Sequence, residues 1–183
     1  TPVDCVKLGI GEVLGGRLPD LVITGINHGS NAAVSVLYSG TMGAAIEGCL
    51  FKIPSIGFSL LDHAADADFS ASKKYTRLLS EKVLEEGLPI GTCLNVNIPK
   101  ADDIKGIKIG RQTKGKWVGE YKKSTDGGNH DVYWLTGEFS NDEPLAKDTD
   151  ENILARGYVS VVPVKVEMTD HNSVDSLRHW EAV

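Results

Sequence analysis

Two short segments of this chain hold most of the residues that could do chemistry. The first carries Gly25, Asn27, His28, Gly29, Ser30 and Asn31, and the second carries Tyr38, Ser39, Gly40 and Thr41. Asn27 and Asn31 offer carbonyl oxygens to a hard cation, or amide donors to a phosphate. Ser39 and Thr41 add hydroxyl donors, and Gly40 lets the backbone come close to a ligand. Where residues 39–41 open a helix, unpaired N–H groups and the helix dipole favour an anion. Together these groups suit phosphate and metal contacts within one pocket. Singly, each has a plainer use: Ser39 as a helix cap, the asparagines as turn formers.

The elements around them place both segments at one edge of a sheet. Residues 21–24 are a short apolar, β-rich run that enters the polar, glycine-rich loop 25–35. A helix of small and apolar residues follows over about 42–50, Pro54 ends it, and residues 55–60 read as the next strand. Strand, helix, strand at this spacing is a βαβ unit with parallel strands and a right-handed crossover. In such sheets ligands bind beyond the carboxyl ends of the strands, where the first loop lies.

A second unit follows. Asp66 or Asp68 can cap a helix on which Ala71, Tyr75, Leu78, Leu79 and Val83 share a face, and Gly87 closes it. Residues 93–98 alternate apolar and polar before Pro99, which predicts a strand near the sheet edge with one wet face. Residues 104–113 alternate as a strand and 117–123 as another. Asp126, Gly127, Gly128 and Asn129 form a strong turn signal before the β-rich residues 132–136. This stretch reads as an antiparallel excursion. Residues 141–150 read as an acidic loop, 151–155 as one helical turn, 158–164 as a strand and 173–180 as a short helix. The expected fold is α/β: a three-layer core with a mostly parallel sheet over residues 1–103. Residues 104–183 then supply a β-rich extension, a returning strand and a C-terminal helix.

The opening residues form a helix. Thr1 can cap it, Pro2 suits its first position, Val6, Ile10 and Val13 recur at helical spacing, and Gly15 with Gly16 stops it. A helix with one apolar stripe needs a sheet to cover, and no strand comes before it. The chain is therefore expected to begin part-way into a longer protein.

Composition narrows the partners. The net charge is −6, with no basic run beyond pairs such as Lys73 and Lys74, which disfavours a nucleic-acid polymer. A small anion stays possible, because backbone amides bind phosphate without net positive charge. No apolar run approaches the length of a membrane span. Cys5, Cys49 and Cys93 are an odd set in apolar surroundings, expected to be small buried hydrophobes in a reducing, cytoplasmic setting. The five histidines lack zinc-type spacing. Trp117, Tyr121, Tyr133 and Trp134 could stack a base, but in a β excursion they suit cross-strand packing or a subunit contact better. Asp102 and Asp103 are an adjacent acid pair that reads as a solvated turn.

Residues 19–31 and 37–48 resemble the central signature of the SurE family, the stationary-phase survival proteins. The likeness continues through residues 53–56, 94–99, 111–112 and 157–160, and residues 1–8 resemble a segment that normally lies well inside the family chain. The resemblance implies a Rossmann-like core and a divalent-metal-dependent nucleotidase acting on nucleoside 5′- or 3′-monophosphates. It further implies homodimers or homotetramers supported by an exchanged C-terminal segment. The family metal, Mg2+ or Mn2+ and one per subunit, is held by two adjacent aspartates near the N-terminus, a serine and an asparagine. Only the asparagine has a counterpart here, Asn27. The acid pair is expected upstream of Thr1, so residues 1–183 alone are expected to be inactive. Asn31, Ser39, Gly40 and Thr41 match the positions that hold phosphate. His28 stands where many relatives carry another residue and takes no role.

Overall fold

Thr1 caps α1 (Pro2–Leu8) in a capping box with Asp4, and the helix runs on as a wider turn over Gly9–Val13 before Gly15 and Gly16. The structure is a computed structural model and describes residues 1–182. β1 (Val22–His28), α2 (Gly40–Leu50), β2 (Ser55–Leu60), α3 (Ser70–Glu86) and β3 (Thr92–Ile98) form two successive βαβ units with parallel strands. β4 (Ile107–Ile109) is followed by the extension, in which β5 (Gly115–Val118) pairs with β8 (Glu138–Asn141). Between them β6 (Tyr121–Thr125) pairs with β7 (Asp131–Leu135). Then come α4 (Asp150–Ala155), β9 (Val159–Lys165), α5 (His171–Leu177) and a final 3-10 turn. The main sheet has the order β1-β2-β3-β9-β4, with β9 antiparallel to β3 and parallel to β4.

Each face of the sheet is covered differently. Tyr75, Leu79 and Val83 of α3 pack on Ile56, Phe58, Val96, Ile98, Val159 and Val161. On the other face Met42, Ala45 and Cys49 of α2 meet Cys93 and Val164. That second face turns polar toward the carboxyl ends of β1 to β3. Asn27 pairs with Ser59, Ser59 with Asn97, and Asn97 with Ser160, so one register row crosses four strands with polar side chains. Asn27 joins this row through a bulge: between Thr24 and Asn27 β1 advances three residues while β2 advances two.

Several expectations are corrected. β3 is the middle strand rather than an edge strand, and Asn95 and Asn97 are 1% and 0% exposed. Their alternation with apolar residues reflects a buried polar face, not a wet one. Only residues 107–109 of the stretch 104–113 form a strand, and it joins the main sheet beside β9. Cys5 is exposed on α1, whereas Cys49 and Cys93 are buried. α1 lies along α2 rather than on the sheet. Pro2 faces Gly40, Val3 faces Gly43, and Lys7 comes within 3.9 Å of Glu47. Leu78 is exposed, and α3 is capped by Phe69 without a side-chain bond, although Asp68 accepts from the Ser70 N–H. Asp150 is fully buried and opens α4 instead of ending a solvated acidic loop.

Candidate functional site

The loop after β1 is held from beneath by the polar row. The Asn31 N–H donates to Asn97 Oδ1 at 2.8 Å, and Asn95 Nδ2 donates to the Asn31 carbonyl at 2.8 Å. Asn31 Nδ2 donates to Ser59 Oγ at 2.5 Å, and Asn97 Nδ2 to Asn95 Oδ1 at 2.9 Å. Buried amides cost free energy unless paired, and here they pair with one another. Gly29 is required beside them. Its φ is +90°, and a Cβ there would lie 2.2 Å from the His63 ring.

Asn27 is oriented by this loop. Its Nδ2 donates to the Gly29 carbonyl at 3.1 Å and faces Asn31 Oδ1 at 3.5 Å. Among the described residues no donor meets Asn27 Oδ1, which leaves a carbonyl oxygen able to ligate a hard cation. Asn31 is 4% exposed, and one of its two Nδ2 hydrogens is committed to Ser59. The other meets no acceptor among the described residues.

Ser39 is the N-cap of α2, its Oγ accepting from the Met42 N–H at 3.0 Å. The capping expectation and the ligand expectation coexist, because the Ser39 proton is not used in that bond. Among the described residues, the N–H groups of Gly40 and Thr41 meet no acceptor. Thr24 Oγ1 donates to the Thr41 carbonyl at 2.8 Å, fixing the helix start to β1. The Thr41 methyl lies over Gly57, while Asn31 bonds Ser59, the next same-face residue of β2. The helix start and the Asn27–Asn31 loop thus sit over neighbouring positions of one strand, about 7 Å apart along it.

The remaining candidates lie apart from this arrangement or at its rim. His28 is exposed, its Nδ1–H donating to the Asp62 carbonyl 3.1 Å away, and it meets the Phe69 ring edge-on. Asp62 is held below its usual range by the Ala64 N–H and by Lys100, whose Nζ is 3.0 Å away. All five histidines are exposed, and Asp102 and Asp103 form an exposed bend. Trp117 packs edge-on against Phe139 across β5 and β8, while Tyr121, Tyr133 and Trp134 stand largely in solvent. A cleft of about 510 Å³ touches Ser39 but is lined mainly by apolar groups of β9 and by Arg111, away from Asn27 and Thr41.

Sequence reading missed the residues that support the loop. Ser59, Asn95, Asn97, Thr113 and Asp150 are all buried and bonded into it or beneath it. The alternating asparagines of β3 were the one available signal. Asp150 and Thr113 carried none, since their partners lie far away in sequence.

The family model described as "Survival protein SurE" matches residues 1–119. The chain belongs to the SurE family. It is 53% identical over 180 residues to the 5′-nucleotidase SurE of Phocaeicola vulgatus, covering 98% of this chain and 70% of that protein. It is 51% identical to the 5′-nucleotidase SurE of Bacteroides fragilis, covering 99% and 71%. The crystal structure of the SurE protein from Aquifex aeolicus matches with a TM-score of 0.82 at 37% identity, covering 99% of this chain and 73% of that one. The α/β core is thus the SurE fold, and the Asn27 loop and Ser39 helix start lie within the matched SurE region. Among the described residues no group of three or more His, Cys, Asp or Glu could hold a metal. No helix among them is long and apolar enough to cross a membrane.

Proposed function

We propose that this chain is the greater part of a nucleotidase that hydrolyses nucleoside 5′-monophosphates, with 3′-monophosphates as a second substrate class, to nucleoside and phosphate. The observation that carries this reading is the pair of unpartnered N–H groups at Gly40 and Thr41, set beside the free Oδ1 of Asn27. Ser39, Gly40, Thr41 and the second Asn31 amide hydrogen grip the non-bridging phosphate oxygens. Phosphoryl transfer needs alignment and charge neutralisation more than covalent help, and such a cradle supplies both. Asn27, together with an aspartate pair outside residues 1–183, would hold one Mg2+ or Mn2+ ion per subunit. When bound, that ion polarises the phosphate and activates water. The Gly29 carbonyl and Asn31 Oδ1 engage the Asn27 Nδ2 and leave its Oδ1 for the cation.

Two further features complete the proposal. The protein assembles as a homodimer or homotetramer, because Tyr121, Tyr133 and Leu135 leave an exposed apolar face on the β6–β7 hairpin, with Trp134 exposed on its other face. A strictly monomeric mass by light scattering at micromolar concentration contradicts this. It works in a reducing cytoplasm, in keeping with its free thiols at Cys49 and Cys93.

The test is phosphate release from nucleoside monophosphates with added Mn2+ or Mg2+, repeated after chelation. Metal-dependent release supports the reading. Binding of nucleotide without release, in a chain that also carries the acid pair, favours a nucleotide-binding protein instead.

A further inference from the structure

The segment between Asn31 and Ser39 is tied to the start of α4 by a buried carboxylate, and to β5 by the Trp117 Nε1–H, which donates to Ser35 Oγ at 3.3 Å. Asp150, at the start of α4, is 0% exposed. Its Oδ2 accepts from the Ala33 N–H at 2.8 Å, across 117 residues of sequence. Its Oδ1 accepts from the Thr113 N–H at 2.9 Å, the Thr113 hydroxyl at 2.5 Å and the Glu151 N–H at 2.8 Å. Every group that meets this carboxylate is a donor, so both oxygens must be acceptors.

The residue it grips is unusual. Ala33 has φ +51°, the left-handed region that disfavours a side chain, and it opens the turn Ala33–Leu37 leading to Ser39. An L-residue stays there only when its surroundings hold it. On one side of Ala33 lies Asn31, bonded to Ser59 and Asn97; on the other lies the α2 start with its free N–H groups. The carboxylate therefore fixes the spacing between the two halves of the cradle.

We propose that Asp150 is a positioning residue for phosphate binding, holding Ala33 in its left-handed conformation so that Asn31 and the Ser39–Thr41 helix start meet one anion. It touches no ligand and acts through the Ala33 N–H. The inference rests on the reading of this cradle as a phosphate site.

An isosteric change separates this role from simple packing. In Asp150→Asn the single carbonyl oxygen stays on the side of Thr113 and Glu151, where three donors converge, and the new amide faces the Ala33 N–H. Donor then opposes donor at Ala33 alone, and the turn is released while α4 stays anchored. Thr113→Val is the counterpart. It removes a bond on the other oxygen and leaves Ala33 tied.

The experiment titrates the protein with inorganic phosphate by calorimetry, alongside thermal unfolding and nucleotide kinetics. Asp150→Asn is expected to weaken phosphate binding about tenfold, the equivalent of one charge-assisted bond lost from the bound state. In a chain that also carries the aspartate pair, KM rises by a similar factor. Thr113→Val lowers the unfolding midpoint but keeps phosphate affinity within twofold. Ala33→Gly in the Asp150→Asn background restores part of the affinity, since glycine needs no help to adopt this backbone. Affinity losses that simply track stability in both variants, or an Asp150→Asn protein that binds phosphate normally, overturn the proposal. One measurement needs no variant: the Ala33 amide in the parent protein is protected from hydrogen exchange and gains protection with phosphate. Exchange at the rate of a free peptide overturns it equally. Phosphate binding that depends on Asp150, in a chain that also carries the aspartate pair yet hydrolyses nothing, leaves this inference standing and removes the nucleotidase reading.

Discussion

The Asn31 N–H and the Asn97 Oδ1 lie 2.8 Å apart, joining the loop after β1 to the middle strand of the sheet across 66 residues of sequence. Asn97 is fully buried and also donates to Asn95 Oδ1, so its amide is shared between the loop and the sheet. Asn97→Ala leaves the Asn31 N–H and the Asn95 oxygen without partners. It should cost about 1–3 kcal/mol of stability, the penalty for orphaned buried polar groups. Urea unfolding measures this, and a loss below the error of the fit contradicts the supporting role given to the polar row.

The two hydroxyls of the cradle should separate by their second duties. Ser39 caps α2, so Ser39→Ala should lose about 1 kcal/mol of stability as well as phosphate affinity. No protein group among the described residues takes the Thr41 hydroxyl, so Thr41→Ala should lower kcat/KM about tenfold or more with little change in the unfolding midpoint. The measurements are steady-state kinetics and thermal unfolding on the same preparations. Unchanged kinetics in the double variant removes both residues from the site.

Much of this arrangement was legible in the sequence because it is local. The Ser39 cap, the α3 face at Tyr75, Leu79 and Val83, and the Asp126–Asn129 turn each announce themselves within a few residues. The loop expected from residue 25, by contrast, begins only after His28, because β1 runs on past its bulge and pairs Asn27 with Ser59. What failed was long-range. Alternation in β3 distinguishes two faces but not water from buried amides, so Asn95 and Asn97 read as an exposed edge. The stretch 104–113 alternates over ten residues, yet only residues 107–109 pair as a strand beside β9, and Gly110 adds one further N–H bond to the Val161 carbonyl. Asp150 looks like one more acid in a charged loop until its partners at Ala33 and Thr113 are seen.

Acid should loosen the root of the extension. Arg111 forks onto Glu143 and Asp148, and with the Lys114 N–H it holds the Glu143 carboxyl down at about 2, against an ordinary value of 4.5. A carboxylate whose folded pKa is depressed stabilises the fold above its unfolded pKa, and that contribution fades as pH falls toward the folded value. The unfolding midpoint should therefore drop between pH 4.5 and about 2 by more in the parent than in Glu143→Gln. Parallel curves for the two proteins contradict the assignment.

Residues 1–183 alone should hydrolyse no nucleotide, even with millimolar Mn2+. Asn27 offers one neutral oxygen, whereas Mg2+ and its substitutes are usually anchored by one or two carboxylates. The cradle should still bind phosphate, because helix-start amides need no metal. Phosphate release by this chain beside one that also carries the aspartate pair, at equal concentration, decides the matter. Comparable rates show that the catalytic acids have been misplaced.

The most direct test of the account is where a nucleotide's phosphate sits. Backbone amide resonances of the protein are followed by NMR while a nucleoside 5′-monophosphate, and separately inorganic phosphate, is added. The account predicts that both ligands shift the Gly40 and Thr41 amides first and the Asn27 to Asn31 loop with them, at the same concentrations. Shifts centred on the Arg111 cleft or on the β6–β7 hairpin, with Gly40 and Thr41 unmoved, would contradict it.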